Sequence, residues 1–124
     1  MSYDSQNVFA KILRGDIPCA AFYEDEFALA FRDIEPAAPV HVLVIPKGEF
    51  TSYHDFMASA GAEMIAGFFN AVHQVATQAG VDETGYRLIT NHGADASQSV
   101  PHFHVHVLGG TPLGGLIPGD GLVR

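Results

Sequence analysis

The segment His102-Phe103-His104-Val105-His106-Val107-Leu108 alternates strictly between imidazole and apolar side chains before its final leucine. A β-strand sends successive side chains to opposite faces. The alternation therefore predicts a strand over His102–Leu108, with His102, His104 and His106 on one face and Phe103, Val105 and Val107 turned into a core. Imidazoles in a row at steps of ~6.5–7 Å are costly to hide without partners. The histidine face must meet a ligand, a metal, water or a polar loop.

The rest of the chain supplies a sheet and its cover. Residues 1–7 are polar and read as a loose start. Val8, Phe9 and Ile12 have one-turn helical spacing, and Gly15 and Pro18 lie just beyond, which predicts a short helix over Asn7–Arg14. Ala21–Glu24 and Phe27–Arg32 read as a hairpin around an acidic turn. Pro36 and Pro39 favour an extended connection into Val40–Pro46, a strand rich in β-branched residues and closed by proline. Lys47–Tyr53 reads as a loop. Ala58–Ala79 reads as one long helix with a stripe of Met64, Phe68, Val72, Val75 and Ala79, stopped by Gly80. Ile65, Phe69 and Ala76 widen that stripe enough to cover a sheet and also meet a second subunit. Tyr86–Thr90 is a further strand, Asn91–Pro101 a polar loop of small residues, and the glycine-rich tail after Gly109 a loop. The pattern predicts an α+β fold: an antiparallel five-stranded sheet with one long and one short helix.

Size and charge narrow the function. At 124 residues the chain is one domain's worth of sequence, with no repeat or linker to divide it. Acidic residues outnumber Lys plus Arg by 14 to 6, for a net charge of −8. Such a field repels phosphate backbones and anionic membranes, so neither nucleic acid nor membrane is an expected partner. The single cysteine, Cys19, rules out an internal disulfide and fits a reducing compartment. Residues 1–20 hold no long apolar run behind a basic start, and Val42–Pro46 and Ile65–Phe69 are far short of a bilayer span. A cytoplasmic location is expected.

Two chemistries suit the histidine row. A His-x-His strand can supply two metal ligands, with His41 adding a third. Alternatively, an imidazole nitrogen can attack phosphorus, provided its other nitrogen is held and neighbours neutralise the phosphate oxygens. The surroundings favour phosphorus. No Lys or Arg lies between Arg87 and Arg124, so positive charge there must come from imidazolium and backbone N–H. Gly93, Ala94, Ala96 and Ser97 are small enough for amides to approach an anion, and Asn91, Gln98 and Ser99 add side-chain donors. His54 and His73, isolated in sequence, read as surface residues.

These residues resemble the histidine triad family. His102-Phe-His-Val-His-Val-Leu fits its His-φ-His-φ-His-φ-φ signature. Asn91…Gln98-Ser99-Val100 and Gly109-Gly110 resemble the Hint-type branch, the purine nucleoside phosphoramidate hydrolases. Phe9-Ala-Lys-Ile, Ile17-Pro18, Phe31-Arg-Asp33-Ile34, Pro39–Lys47 and Gly85-Tyr86-Arg87 extend the likeness over about residues 7–110, leaving 111–124 as a tail on a single 1–124 domain.

The resemblance implies a two-fold homodimer and a purine nucleotide substrate with an AMP moiety. Its long helices and sheet edges would meet across the dimer. It implies His104 as the nucleophile on the α-phosphorus, forming a nucleotidyl-histidine that water resolves. His106 would contact the phosphate, His102 would orient the nucleophile partly through its carbonyl, and His41 would be the extra histidine near the site. Ser99 would bond the leaving amine or the phosphate. Asn91, Ser97 and Gln98 would complete the cradle, and Asp33 would bind ribose. Val8, Phe9, Ile12, Phe31 and Ile34 would line the purine slot. Hydrolysis of purine nucleoside 5′-phosphoramidates, extending to acyl adenylates, is expected with no cofactor and no obligatory metal. Some members bind zinc through Cys-x-x-Cys near the start; Asn7-Val8-Phe9-Ala10 stands there instead. His92 replaces a frequent acidic residue, Ser97 a frequent glycine, and the tail lacks a tryptophan seen in some relatives. The rival expectations are a dinucleoside polyphosphate hydrolase of the same fold, a nucleotide-binding scaffold with incidental catalysis, and a metal-dependent enzyme of another His-rich type.

Overall fold

The computed structural model describes residues 2–122. The elements run α1 (Val8–Leu13), β1 (Tyr23–Glu24), β2 (Ala28–Arg32), β3 (Val40–Pro46), α2 (Tyr53–Ser59), α3 (Ala62–Gln78), β4 (Tyr86–Ile89), a 3₁₀ turn (Ala94–Ala96) and β5 (Val105–Gly109). One antiparallel sheet holds all five strands in the order β1-β2-β3-β5-β4. The expected α+β architecture is present.

Register assigns every strand residue to a face, because directly opposed residues share one. Val42 opposes Val107, and Val44 opposes Val105. These pairs join Ala28 and Ala30 of β2 on the face covered by Phe68, Ala71, Val72, Val75 and Ala76 of α3. Leu43 opposes His106 and His41 opposes Leu108, so these lie on the other face. Leu29, Phe31, Leu43 and Ile45 form a smaller apolar cluster there with Phe9 of α1. Gly67 allows α3 to pack closely, since a Cβ there would sit 2.3 Å from the Phe27 ring. Gly80, at φ +76°, ends that helix in the left-handed conformation that favours glycine.

The long helix expected from Ala58 divides in two. Ala60 and Gly61 are extended, with ψ of 146° and 162°. The break lets α2, in a stretch read partly as loop, bring Phe56 into ring contact with Phe68 and Phe103. Only Phe56 of α2 is buried, so that helix leaves no apolar stripe in the sequence.

The expected strand over His102–Leu108 also starts later, at Val105. Continuing the ladder would set Phe103 opposite Pro46, which has no N–H to donate. The chain bonds elsewhere: the Phe103 amide donates to the Phe50 carbonyl at 2.8 Å, and the Thr90 hydroxyl donates to the His104 carbonyl at 2.8 Å. His102–His104 is thus an extended approach to β5, outside the ladder. The alternation of faces survives, with Phe103, Val105 and Val107 all in the α3-side core.

Candidate active site

A cleft of about 910 Å³ opens on the sheet face that α3 leaves free. Its apolar wall carries Val8, Phe9, Ile12, Phe31, Ile34, Ile17 and Leu43, and its polar end carries Asp33, Ser99, His104 and His106. Asn7 fixes α1 at the cleft's edge, its side-chain oxygen accepting from the Ala10 amide at 2.9 Å. Ile34 stands out at 95% exposure, a bare apolar side chain at the rim.

The histidine row meets three different environments. His102 is fully buried and lies outside the cleft wall. Its Nε2–H donates to the Pro46 carbonyl at 3.1 Å, and its Nδ1 accepts from the Tyr3 hydroxyl at 2.5 Å. His104, packed edge-on against Phe9 with ring centroids 5.0 Å apart, lines the cleft. Its Nδ1 lies 2.7 Å from the His102 carbonyl. A carbonyl only accepts, so Nδ1 carries the proton and Nε2 keeps its lone pair.

His106 is set by a chain starting in the backbone. The Ala37 amide donates to His41 Nδ1 at 3.0 Å, which leaves the proton of a neutral His41 on Nε2. That N–H points at His106 Nδ1, 2.9 Å away. His106 therefore holds its own proton on Nε2. The cleft wall presents two adjacent rings of opposite character, a lone-pair bearer in His104 and an N–H donor in His106, their centroids 5.2 Å apart.

Burial favours the neutral form of His102, His104 and His106. Burial lowers His102 to about 4, opposed by its bond to Pro46 and assisted by His104. Burial also lowers His106 to about 4, with His104 and His41 acting in the same direction and Asp33 against it. His104 is lowered by burial too, against the pull of the His102 carbonyl and Asp33. Of the three, only His106 turns a ring N–H toward the cleft, since the N–H of His104 is held by the His102 carbonyl and that of His102 by the Pro46 carbonyl.

The loop 91–99 meets the cleft at its end. Asn91, Ser97 and Gln98 lie outside the cleft wall, which Ser99 alone of that set joins. The Gly93 amide donates to the Gln98 side chain at 3.0 Å, the Ser97 amide to Ala94, and the Gln98 amide to the Gly93 carbonyl. The Gln98 side-chain amide donates to Thr51 and Val100 carbonyls. Two of the four amides predicted to form the cradle, those of Gly93 and Ser97, bond inside the loop; Ser97 stands at φ +58°, and Ser99 lines the cleft. His54 and His73 are exposed as expected, but His54 stacks on His92 at 5.2 Å, and His92 Nδ1 bonds the Ser52 hydroxyl at 2.7 Å.

The row does not converge as a set of metal ligands. The group that does converge, among the described residues, is Asp33, His41 and His106, whose ligand atoms lie within 4.8 Å of one another. Asp33 Oδ2 sits 3.5 Å from His41 Nε2, while Oδ1 accepts from the Glu35 amide at 2.8 Å. These residues are the ones that could hold a divalent cation; the proton on His41 Nε2 already links two of them.

Sequence reasoning missed Tyr3, which lies in a stretch read as loose, and also Leu43. Leu43 was legible in principle, being on the face opposite the buried Val42 and Val44.

Residues 14–113 match the HIT domain family. The chain belongs to the HIT family. A HIT-like protein of Azospirillum brasilense is 55% identical over 116 residues, covering 94% of this chain and 95% of that one. The purine nucleoside phosphoramidase of Escherichia coli strain K12 is 41% identical over 118 residues, covering 94% of this chain and 98% of the enzyme. The solved structure of a HIT family hydrolase from Clostridium thermocellum superposes with a TM-score of 0.83 at 42% identity, covering 92% of this chain and 98% of that one. With such kin, this HIT protein is an enzyme, a nucleotide hydrolase. None of its described helices is long and apolar enough to cross a membrane.

Proposed function

We propose that the enzyme hydrolyses the P–N bond of purine nucleoside 5′-phosphoramidates, and acyl adenylates by the same chemistry, through a nucleotidyl-histidine intermediate. One observation carries this reading: His104 faces the cleft with Nδ1 tied to the His102 carbonyl and Nε2 free of any protein hydrogen bond among the described residues.

The Nε2 lone pair attacks the α-phosphorus, and the bond from phosphorus to the amine nitrogen breaks. The amine leaves with its electron pair and takes a proton from the donor side of the site, where His106 Nε2–H and the Ser99 hydroxyl stand. The new N–P bond puts positive charge on the His104 ring, and the His102 carbonyl stabilises it through Nδ1–H. Water then attacks phosphorus and returns a proton to the group that protonated the amine, the N–P bond breaks with its electron pair going back to His104 Nε2, and the nucleoside monophosphate departs.

His41 holds the His106 tautomer. Asp33 offers its carboxylate to the ribose hydroxyls, and Val8, Phe9, Ile12, Phe31 and Ile34 take the purine between apolar walls. Gln98 and Ser97 shape the loop that presents Ser99, and Asn91 completes the cradle around the phosphate. The 41% identity to a phosphoramidase supports the P–N substrate over a dinucleoside polyphosphate. We also infer a two-fold homodimer. Edge strand β4 presents exposed Tyr86, Leu88 and Ile89, and α3 presents Phe69, an apolar edge of the kind that pairs with its own copy.

The test is turnover of adenosine 5′-monophosphoramidate beside a diadenosine polyphosphate. Faster release of AMP from the phosphoramidate is expected. A clear preference for the polyphosphate, or AMP binding with no turnover of either, would overturn the assignment.

A further inference from the structure

The carbonyl that fixes the nucleophile belongs to a residue outside the sheet ladder. His102 precedes the first ladder residue, Val105, so no strand pairing fixes its backbone. What holds it is the neighbouring amide of Phe103 and, above all, its own buried ring. That ring is clamped between two partners from distant parts of the chain, the Pro46 carbonyl and the Tyr3 hydroxyl.

Tyr3 is itself built in. The Tyr3 ring meets His102 edge-on with centroids 5.6 Å apart, and the Asn7 side-chain amide donates to the Asp4 carbonyl at 2.7 Å, fastening the residue after Tyr3 to the start of α1. Arg14 donates to the Ser5 carbonyl at 2.6 Å, tying the segment between them to the end of α1. Residues 3–7 are therefore anchored, against the expectation of a loose start.

We infer that Tyr3 is a positioning residue for the reaction, acting through His102 on the nucleophile His104. The hydroxyl donates to His102 Nδ1, which commits the ring to the Nε2–H tautomer. That N–H then reaches Pro46, and the clamped residue presents its carbonyl to His104 Nδ1–H. Without the hydroxyl, a fully buried ring nitrogen loses its donor, and such nitrogens reorganise to find another. His102 then tilts or changes tautomer, its carbonyl moves, and His104 no longer keeps its lone pair aimed into the cleft.

This rests on the reading of His104 as nucleophile, and Tyr3→Phe tests it because the ring is kept and only the hydroxyl is lost. Turnover is followed with burst titration, which counts competent sites. The rate per titrated site is expected to fall about tenfold, the scale on which small misplacement of a reacting group acts, with KM little changed. A merely structural role would lower the burst amplitude and leave the rate per site as in the parent. Ring-nitrogen NMR reads the tautomers without any turnover. In the parent, His102 should be protonated on Nε2 with Nδ1 a bonded acceptor, and His104 protonated on Nδ1. In Tyr3→Phe a second His104 population should appear. An unaltered rate per site with unaltered His104 signals, or a parent His102 protonated on Nδ1, would refute the inference. A parent inert toward phosphoramidates but with the expected tautomer change would sink the substrate and keep the clamp.

Discussion

The two faces of the sheet are made from the same strands and serve opposite ends. Under α3, Val42, Val44, Val105 and Val107 meet Phe68, Val72 and Val75 in an extensive apolar core. On the other face, the apolar cluster of Phe9, Leu29, Phe31, Leu43 and Ile45 is smaller, α1 is six residues long, and buried histidines border an open cleft. The first face supplies stability. The second places desolvated rings on β3, on β5 and on the extended approach to β5, a cost the first face offsets.

Substitutions should separate the two. His104→Ala is expected to reduce phosphoramidate turnover by at least about a thousandfold while the fold persists, because the reacting nitrogen is lost and the vacated space borders the cleft. Phe68→Ala should do the reverse: denaturant unfolding should show a loss of about 3–5 kcal/mol, with the rate per folded molecule unchanged. A comparable loss of rate per folded molecule would show that the faces are not separable.

Acid should find the cleft face first. His102 and His106 stand near 4 in the fold against an ordinary value near 6.5, so the unfolded chain binds more protons between those limits. Stability on their account is fully present above about 6.5 and is lost as pH falls toward about 4, which thermal melts across that window will show. The lowered His104 should likewise keep the acid limb of turnover below the ordinary histidine range.

A smaller effect is expected of His41→Leu, which removes the donor to His106 Nδ1 and frees its tautomer. We expect kcat to fall about tenfold. The smallest belongs to Ile34→Ala. Ile34 is 95% exposed, so melting should shift by less than about 0.5 kcal/mol while KM rises several-fold if the rim closes over a purine.

What could be read from the sequence follows the same division. Strand Val40–Pro46, the α3 stripe and the faces of the histidine row were legible because period and burial coincide there. Helix α2 was not, since Phe56 is its one buried residue. The late start of β5 came from a proline on the partner strand, a tertiary fact. The shared face of the three histidines was legible, but their separate roles were not. Tyr3 and Pro46, 99 and 56 residues from His102, decide that one ring is a clamp. The amides of Gly93 and Ser97 looked available to an anion because their use by Gln98 and Ala94 is a matter of folded geometry.

The central claim is that one imidazole, held by a carbonyl behind it, forms a bond to phosphorus. Rapid alkaline quenching of the enzyme with adenosine 5′-monophosphoramidate, followed by peptide mass spectrometry, tests it directly. The account predicts an adenylyl group on His104, absent from His104→Ala. Substrate turnover at full rate with no adduct at His104, or an adduct on His106, would contradict it.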